Sequence, residues 1–437
     1  MKQSRYLVKA KSKDGSTIFY NIRNSKGVKI SNQLSYSSFK DLNENPSINN
    51  VFEKYQFLHD PNEAEEVLEA YIQKNNNDTF HLIILPHQNC NFRCVYCYEK
   101  FEKNKMTPEV EEGVINLVKK KLSQENFKNF FVSWFGGEPL LGTDVIERLS
   151  KEFRNLAVKY NVRYAANITS NGYGLTDKVI DMLLENEVTN FQITIDGIKE
   201  IHDKQRLLMG GQSTFDRIIA NLKNLSNRQK KFITMIRMNV GPENLKHVDQ
   251  HILDMKQIFG QDKRFQLYFH NIGHWGGDND SQVEACSDNV TLTLLNRTID
   301  HDMNAISGLM KIRPDNTCYA ANPNSFVIGV DGLLYKCTVA LYDDVNIVGK
   351  LNRNGDLNLD EEKMKLWTEG GVSDSHCKSC FFASSCHGDS CPLIRIRDKV
   401  RPCPDAKKQV KQYVELMDRQ GYNFINIGPK KKDDVLV

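Results

Sequence analysis

Three cysteines on one short stretch, Cys90-Asn-Phe-Arg-Cys94-Val-Tyr-Cys97-Tyr, directly follow the apolar run His81-Leu-Ile-Ile-Leu-Pro86. Three thiolates on one loop hold three irons of an iron–sulfur cluster and leave one iron free for a non-protein ligand. The competing readings are a zinc site and three unrelated cysteines. Zinc sites, however, usually show paired C-x2-C groups and four ligands.

CxxxCxxC is the signature of the radical S-adenosylmethionine (SAM) enzymes, which this sequence resembles at four further strand ends. The resemblance implies that the open iron binds the amino and carboxylate groups of SAM and that the cofactor supplies the radical chemistry. Tyr96 stands at the family's aromatic position beside the adenine; covering the cluster is the blander role. Gly136-Gly137-Glu138-Pro139 matches the GGEP motif. Glycines let backbone approach a ligand closely, and the resemblance makes Glu138 the acceptor near the SAM ammonium. Thr169-Ser170-Asn171-Gly172 follows, where Ser170 and Asn171 are candidates for the ribose hydroxyls or the SAM carboxylate, although Asn-Gly alone is a common turn. Thr194-Ile-Asp196-Gly197, then His202-Asp203 and Arg206, resemble the S-x-D-G, H-D and R series of one branch of the family. Arg206 offers a planar fork suited to a carboxylate. Asp196 is expected at the ribose, with His202 and Asp203 bracing the loop. Arg237 and Asn239 resemble cofactor-side polar positions.

A second cysteine field comprises Cys318, Gly332 and Cys337, then Cys377-x2-Cys380-x5-Cys386-x4-Cys391 and Cys403. It resembles the SPASM extension of radical SAM enzymes, which holds two auxiliary four-iron clusters; two zinc ribbons are the alternative. The resemblance assigns Cys377, Cys380, Cys386 and Cys403 to a distal cluster, and Cys318, Cys337 and Cys391 to one nearer the active site. Four residues precede Cys391 where the family usually has three. Some relatives supply a further cysteine where this chain has Asn324. The proximal cluster is therefore expected either to keep an open iron or to recruit Cys286 from the Gly273–Asn289 loop, unless Cys286 is an idle thiol.

The elements that must position these residues are legible in the pattern. Residues 1–78 carry alternating runs, Arg5–Lys11, Thr17–Ile22 and Val28–Ile30, separated by Asp14-Gly15 and Lys26-Gly27, then helices near Ser37–Leu42 and Glu63–Gln73. That order resembles the winged-helix peptide-recognition element fused to many radical SAM peptide maturases; an unrelated cap is the alternative. From residue 79 strands and helices alternate. The expected strands are Phe80–Leu85, Phe130–Phe135, Tyr164–Thr169, Phe191–Ile195, Ile233–Val240 and Phe265–Asn271. Helices are expected over Pro108–Leu122, Asp144–Tyr160, Lys178–Glu185, Phe215–Leu225, Leu245–Phe259 and Val290–Lys311. The fold class is α/β: a partial (β/α)6 TIM-like barrel at 79–311, an N-terminal α+β domain at 1–78, a cysteine-rich SPASM domain at 312–405, and a helix (Tyr413–Met417) with a tail at 406–437. In such a barrel reactive groups gather at the C-terminal strand ends.

The chain has 437 residues, and 58 Lys+Arg against 55 Asp+Glu give a net charge of +3, too weak a bias to imply nucleic acid or an anionic membrane. Lys119–Lys121 and Lys430–Lys432 read as solvated faces. The N-terminus lacks a secretory apolar region, and no stretch reaches the roughly 20 apolar residues of a membrane span. A cytoplasmic location is expected, where eleven cysteines read as ligands or reactive thiols rather than disulfides.

The resemblance implies that an electron reaching the first cluster cleaves SAM to a 5′-deoxyadenosyl radical, which takes hydrogen from an unactivated carbon. The substrate radical then closes onto sulfur, carbon or oxygen, and the surplus electron leaves through the auxiliary clusters. The expected function is maturation of a ribosomally made precursor peptide, with its leader, by a thioether or carbon–carbon crosslink, with flavodoxin or ferredoxin as reductant. The alternatives are an anaerobic sulfatase maturase making formylglycine, generally without an appended N-terminal domain, and a non-catalytic redox sensor.

Overall fold

Burial marks the first strands: Leu7, Val8 and Ala10 are buried while Lys9 and Lys11 are exposed, and Thr17–Asn21 is buried throughout. The computed structural model describes residues 2–34, 39–286 and 290–428. The expected helix start at Ser37, the end of the loop at Asn289 and the Lys430–Asp434 tail lie outside them. In chain order the strands are β1 (Leu7–Lys11), β2 (Thr17–Asn21), β3 (Lys26–Ile30), β4 (Thr79–His87), β5 (Phe92–Cys94), β6 (Asn129–Gly136), β7 (Arg163–Ser170), β8 (Val188–Thr194), β9 (Arg206–Leu208), β10 (Ile233–Val240), β11 (Phe265–Asn271), β12 (Ser325–Ile328), β13 (Leu333–Tyr335), β14 (Ile347–Leu351), β15 (Leu357–Leu359) and β16 (Ile425–Ile427).

The chain forms two compact units, each discontinuous in sequence. One is drawn from residues 1–73, 307–321 and 369–437. Its sheet runs β1-β2-β3-β16, antiparallel through the first three strands and parallel where β16 joins β3. Helices Phe39–Glu44 and Pro46–Lys54 cover it, and Phe39 stacks on Phe52 with ring centroids 5.1 Å apart. The second helix is not apparent in sequence, because Asn45-Pro-Ser-Ile-Asn-Asn50 reads as a turn; proline at the first helical position instead starts it.

The other unit is drawn from residues 74–306 and 322–368. Its ten-stranded sheet has the order β11-β10-β8-β7-β6-β4-β12-β13-β14-β15. The six strands from β11 to β4 pair in parallel and are the expected barrel strands, separated by helices at Pro108–Gln124, Thr143–Lys159, Asp177–Glu185, Phe215–Ser226 and Val248–Phe259. The α/β partial barrel is thus present, together with the cysteine-rich C-terminal region. β12 extends the sheet by pairing in parallel with β4, Ser325 opposite His81, and β13 to β15 continue antiparallel. Along β6, buried Phe130, Val132 and Trp134 alternate with half-buried Phe131, Ser133 and Phe135, so the two faces serve helix packing and barrel interior separately.

Two helices differ from expectation. The helix expected at Leu245 starts at Val248, because Pro242–Leu245 forms its own turn, held by Asn244 to the Gly241 amide. The helix expected to reach Lys311 ends at Asp300. Asn304 and Ile306 instead bond the backbone of Leu267, using edge groups of β11 that a longer helix would leave unpaired. No helix among the described residues is long and apolar enough to cross a membrane.

Two predictions concern stability. Phe130 is fully buried against Phe80, Phe153 and Tyr164, so Phe130→Ala should cost about 3–5 kcal/mol in chemical denaturation of this unit, and Phe130→Leu clearly less. His81 lies between Ser133 and Ser325 hydroxyls, 3.0 and 3.1 Å away, and burial pushes its pKa down to about 3 from 6.5. Between pH 6.5 and 3 the unfolded chain takes up a proton that the folded chain refuses, so His81 makes stability fall as the pH drops through that window. Melting temperature should decline from pH 6.5 to 4.5, and His81→Gln should flatten that slope.

Candidate active site

The cysteine loop leaves the C-terminal end of β4 and is pinned by a short antiparallel ladder, β5 on β9, which sets Cys94 opposite Arg206. The Arg93 guanidinium donates to the carbonyls of Cys90 (2.6 Å) and Phe92 (2.7 Å), and the Phe92 amide donates to the Cys90 sulfur at 3.3 Å. Cys90, Cys94 and Cys97 all line one cavity of about 190 Å³. Among the described residues no group of three or more His, Cys, Asp or Glu is placed to hold a single metal ion. Burial pushes the Cys97 thiol up to about 12 and raises those of Cys90 and Cys94. They are neutral until a metal displaces their protons.

Gly136 and Gly137 also line the cavity, but the need for glycine comes from the other side. A Cβ on Gly137 would sit 2.6 Å from the Asn89 carbonyl oxygen and 2.8 Å from that of Gln88, and Gly136, at φ +122°, has the His87 carbonyl where its Cβ would be. The glycines let the cysteine loop lie directly on the end of β6. Glu138 is 2% exposed and does not line the cavity. Its carboxylate accepts from the Leu140 amide (2.9 Å), the Ser170 hydroxyl (2.7 Å) and the Asn171 amide (2.7 Å), while its own amide donates to the Asn89 carbonyl at 3.0 Å. Burial raises its pKa against these three donors. Glu138 thereby couples the ends of β6 and β7 to the cysteine loop. Ser170 and Asn171 line the cavity, and the Asn171 side chain donates to Asn91 at 2.8 Å.

Tyr96 organises the opposite wall. Its hydroxyl donates to Asp196 and accepts from Arg206 (2.6 Å) and the Asn239 side chain (3.0 Å). Asp196 is fully buried behind the cavity, its second oxygen accepting from the Asn239 amide at 2.7 Å, and burial raises its pKa. Arg237 donates to the Asn239 side chain at 2.8 Å. Arg206 lines the cavity, and its buried Nε has no partner among the described residues. The same guanidinium lies 3.7 Å from the Asp196 carboxylate, so Arg206 is held against the Tyr96–Asp196 wall with one donor left over.

His202 and Asp203 lie behind this wall. His202 accepts from the Asp196 amide at 3.1 Å and faces the Thr214 hydroxyl, which itself donates to the Arg206 carbonyl, so the His202 proton is assigned to Nε2. Burial holds His202 neutral, its pKa down to about 3. Asp203 accepts from the amides of Thr214 and Phe215 at the start of the next helix. Sequence reasoning missed Gln192, His270, Trp275 and Glu99, which also line the cavity. A signal existed for Gln192 and His270: polar residues at strand positions whose neighbours, Phe191, Ile193 and Phe269, are buried. Glu99 carried no such signal. It is 7% exposed, one of its oxygens has no partner, and burial lifts its pKa to about 7.

In the other unit Cys377, Cys380, Cys386 and Cys403 line a single cavity of about 420 Å³. Asp374 caps the turn carrying Cys377 and pairs with Arg395 and Arg401, and Arg395 also reaches the Cys377 sulfur at 3.8 Å. Lys407 lies 3.9 Å from the Cys403 sulfur. In that unit, the Cys318 amide donates to the Asp389 carbonyl at 2.8 Å, and Cys391 precedes the helix Pro392–Asp398. In the barrel unit, Cys337 is clasped by Asn346, which accepts from its amide (2.8 Å) and donates to its carbonyl (2.8 Å). Gly332 takes φ +79° in the turn between β12 and β13, Asn324 bonds the Asn75 carbonyl, and Cys286 is half-buried on the loop after β11.

Residues 84–255 match the model of the radical SAM superfamily. The cysteine-type anaerobic sulfatase-maturating enzyme of Clostridium novyi (strain NT) is 26% identical over 335 residues, covering 70% of this chain and 86% of that protein. The radical SAM cyclopropyl synthase TigE of Paramaledivibacter caminithermalis is 28% identical over 179 residues, 36% of this chain and 37% of TigE. The solved structure of native anSMEcpe with bound AdoMet and Cp18Cys peptide aligns at a TM-score of 0.56 with 20% identity, over 79% of this chain and 97% of that one, and shares the fold.

Two substitutions test the wall. Tyr96→Phe deprives Asp196 and Arg206 of their shared partner, so chemical denaturation should show a loss of about 1–3 kcal/mol. Gly137→Ala should lower iron retained at the first site, measured per chain, without lowering thiol content.

Proposed function

We propose that this chain, an enzyme with a radical SAM domain, oxidatively modifies a peptide. The observation that carries the reading is the convergence on one cavity of three thiols and the Arg206 side chain. Cys90, Cys94 and Cys97 would hold a four-iron cluster. Arg206 would take the carboxylate of SAM, with Ser170, Asn171 and Asn239 as further polar contacts. When bound, this pair supplies a 5′-deoxyadenosyl radical able to remove hydrogen from an unactivated carbon. The chain's own residues do the positioning: Tyr96 and Asp196 hold Arg206 toward the cavity, and Glu138 holds Ser170 and Asn171 at its edge. Cys377, Cys380, Cys386 and Cys403 would hold a second cluster, giving the chain a site for the surplus electron of an oxidation. The large cavity their thiols share supports that role.

A peptide substrate is supported by the sulfatase-maturating relative, whose name gives it a protein to act on, and by a small N-terminal sheet of the kind to which an extended peptide adds a strand. The reading favoured is crosslinking of a precursor peptide. Formylglycine formation is the second reading, favoured by the share of both chains that the sulfatase-maturating relative covers.

Anaerobically reconstituted protein with dithionite and SAM should release 5′-deoxyadenosine, and Cys94→Ala should abolish it; a wild type that releases none sinks the reading. Iron should reach at least about eight per chain if the triplet and the four-thiol cavity each hold four. With candidate peptides, loss of two hydrogens without a new carbonyl marks a crosslink, whereas a hydrazide-reactive aldehyde marks the second reading.

A further inference from the structure

The helix Val410–Arg419 packs on β1 and reaches across the small sheet, its Asp418 accepting from Ser12 just after β1 and pairing with Lys29 of β3. The β3 edge is filled by β16, three residues long and parallel to β3 where every other pairing in the sheet is antiparallel. Just before β16 the chain is firmly held. Phe424 is 4% exposed with its ring against Gly27, where a Cβ would collide with it, and the Tyr422 hydroxyl donates to the Ser25 carbonyl at 2.5 Å. The strand itself is three residues long and nowhere fully buried. Ile425 and Ile427 are half-buried against the cluster containing Val28, Ile30 and Phe52, Asn426 points out, and the Ser31 amide donates to the Ile427 carbonyl at 2.8 Å.

An open strand edge beside an apolar groove accepts any extended segment that offers backbone partners and apolar side chains at alternate positions. β16 is such a segment in cis. We infer that β16 is a displaceable strand plugging a peptide-acceptor edge, and that an extended peptide with apolar residues at alternate positions competes with it for β3. That the natural competitor is a substrate peptide rests on the function proposed above; the plug itself does not. A cis segment acts as though present at about millimolar concentration, so the edge would reject weak peptides and admit only those that bind β3 more tightly or gain contacts elsewhere. The parallel direction of β16 leaves the competitor free to run either way.

The test uses the chain's own strand as probe: a labelled peptide of residues 421–428, Gly-Tyr-Asn-Phe-Ile-Asn-Ile-Gly, titrated by fluorescence anisotropy onto the full chain and onto a chain ending at Gln420. At least tenfold tighter binding to the shortened chain is expected; equal affinity, or no binding to a shortened chain that circular dichroism shows to be folded, overturns the inference. Should the shortened chain not fold, amide hydrogen exchange on the unmodified protein decides. The Ser31 amide, opposite β16, should exchange at least tenfold faster than those of Ile18 and Ala10 between β1 and β2, because opening one short strand is a local event. Exchange of Ser31 only in step with those core amides overturns it. Neither measurement involves SAM or a reaction, so this inference and the enzymatic reading fail separately.

Discussion

A carboxylate cut off from water must find its hydrogen-bond donors within the protein, and two such carboxylates set the geometry around the cysteine-loop cavity. Asp196 takes a donor from the cysteine loop, through Tyr96, and another from the β10 backbone, through Asn239. Glu138 takes donors from the end of β7 and from its own turn, while its amide holds Asn89. Each therefore ties segments far apart in sequence to the loop that carries the thiols. Moving the loop would leave a buried charge unsatisfied, which costs more than the single bond lost. The residues that face the cavity owe their positions to residues that do not.

This arrangement explains why acids and glycines sit where they do. A motif such as Gly136-Gly137-Glu138 looks like a ligand-binding turn, and its glycines do border the cavity, yet their missing side chains make room for the backbone carbonyls of His87, Gln88 and Asn89. The same applies to His202, held neutral by burial, and to Asp203, which caps a helix start. The cavity itself is lined by three thiols, Arg206 and Arg237, Glu99, His270 and a ring of amides and hydroxyls.

The barrel was legible because its signals are local. Strand runs near thirty-residue intervals and amphipathic helices between them follow from periodicity alone, and all six barrel strands lie within a few residues of expectation. The errors fall where a distant partner outcompeted a local preference. The helical pattern after Asp300 yields to the free edge of β11, and the polar stretch after Glu44 becomes a helix because the β1–β3 sheet needs a cover. The tail strand β16 gave no sign in sequence: three residues carry too little pattern, and its partner lies nearly four hundred positions earlier.

What the sequence carried by itself was local pattern: the cysteine spacing and the ordered motifs after successive apolar runs, which carry the resemblance to radical SAM enzymes. Both are statements about neighbours a few residues apart, which composition and period encode. Only the tertiary structure decided which of those polar residues face the cavity and which stand behind it, that β12 to β15 continue the barrel sheet, and that the last described strand closes the first sheet. Those outcomes depend on which backbone edges and buried charges remain unsatisfied once the chain has folded, and that is a property of the whole packing rather than of any segment.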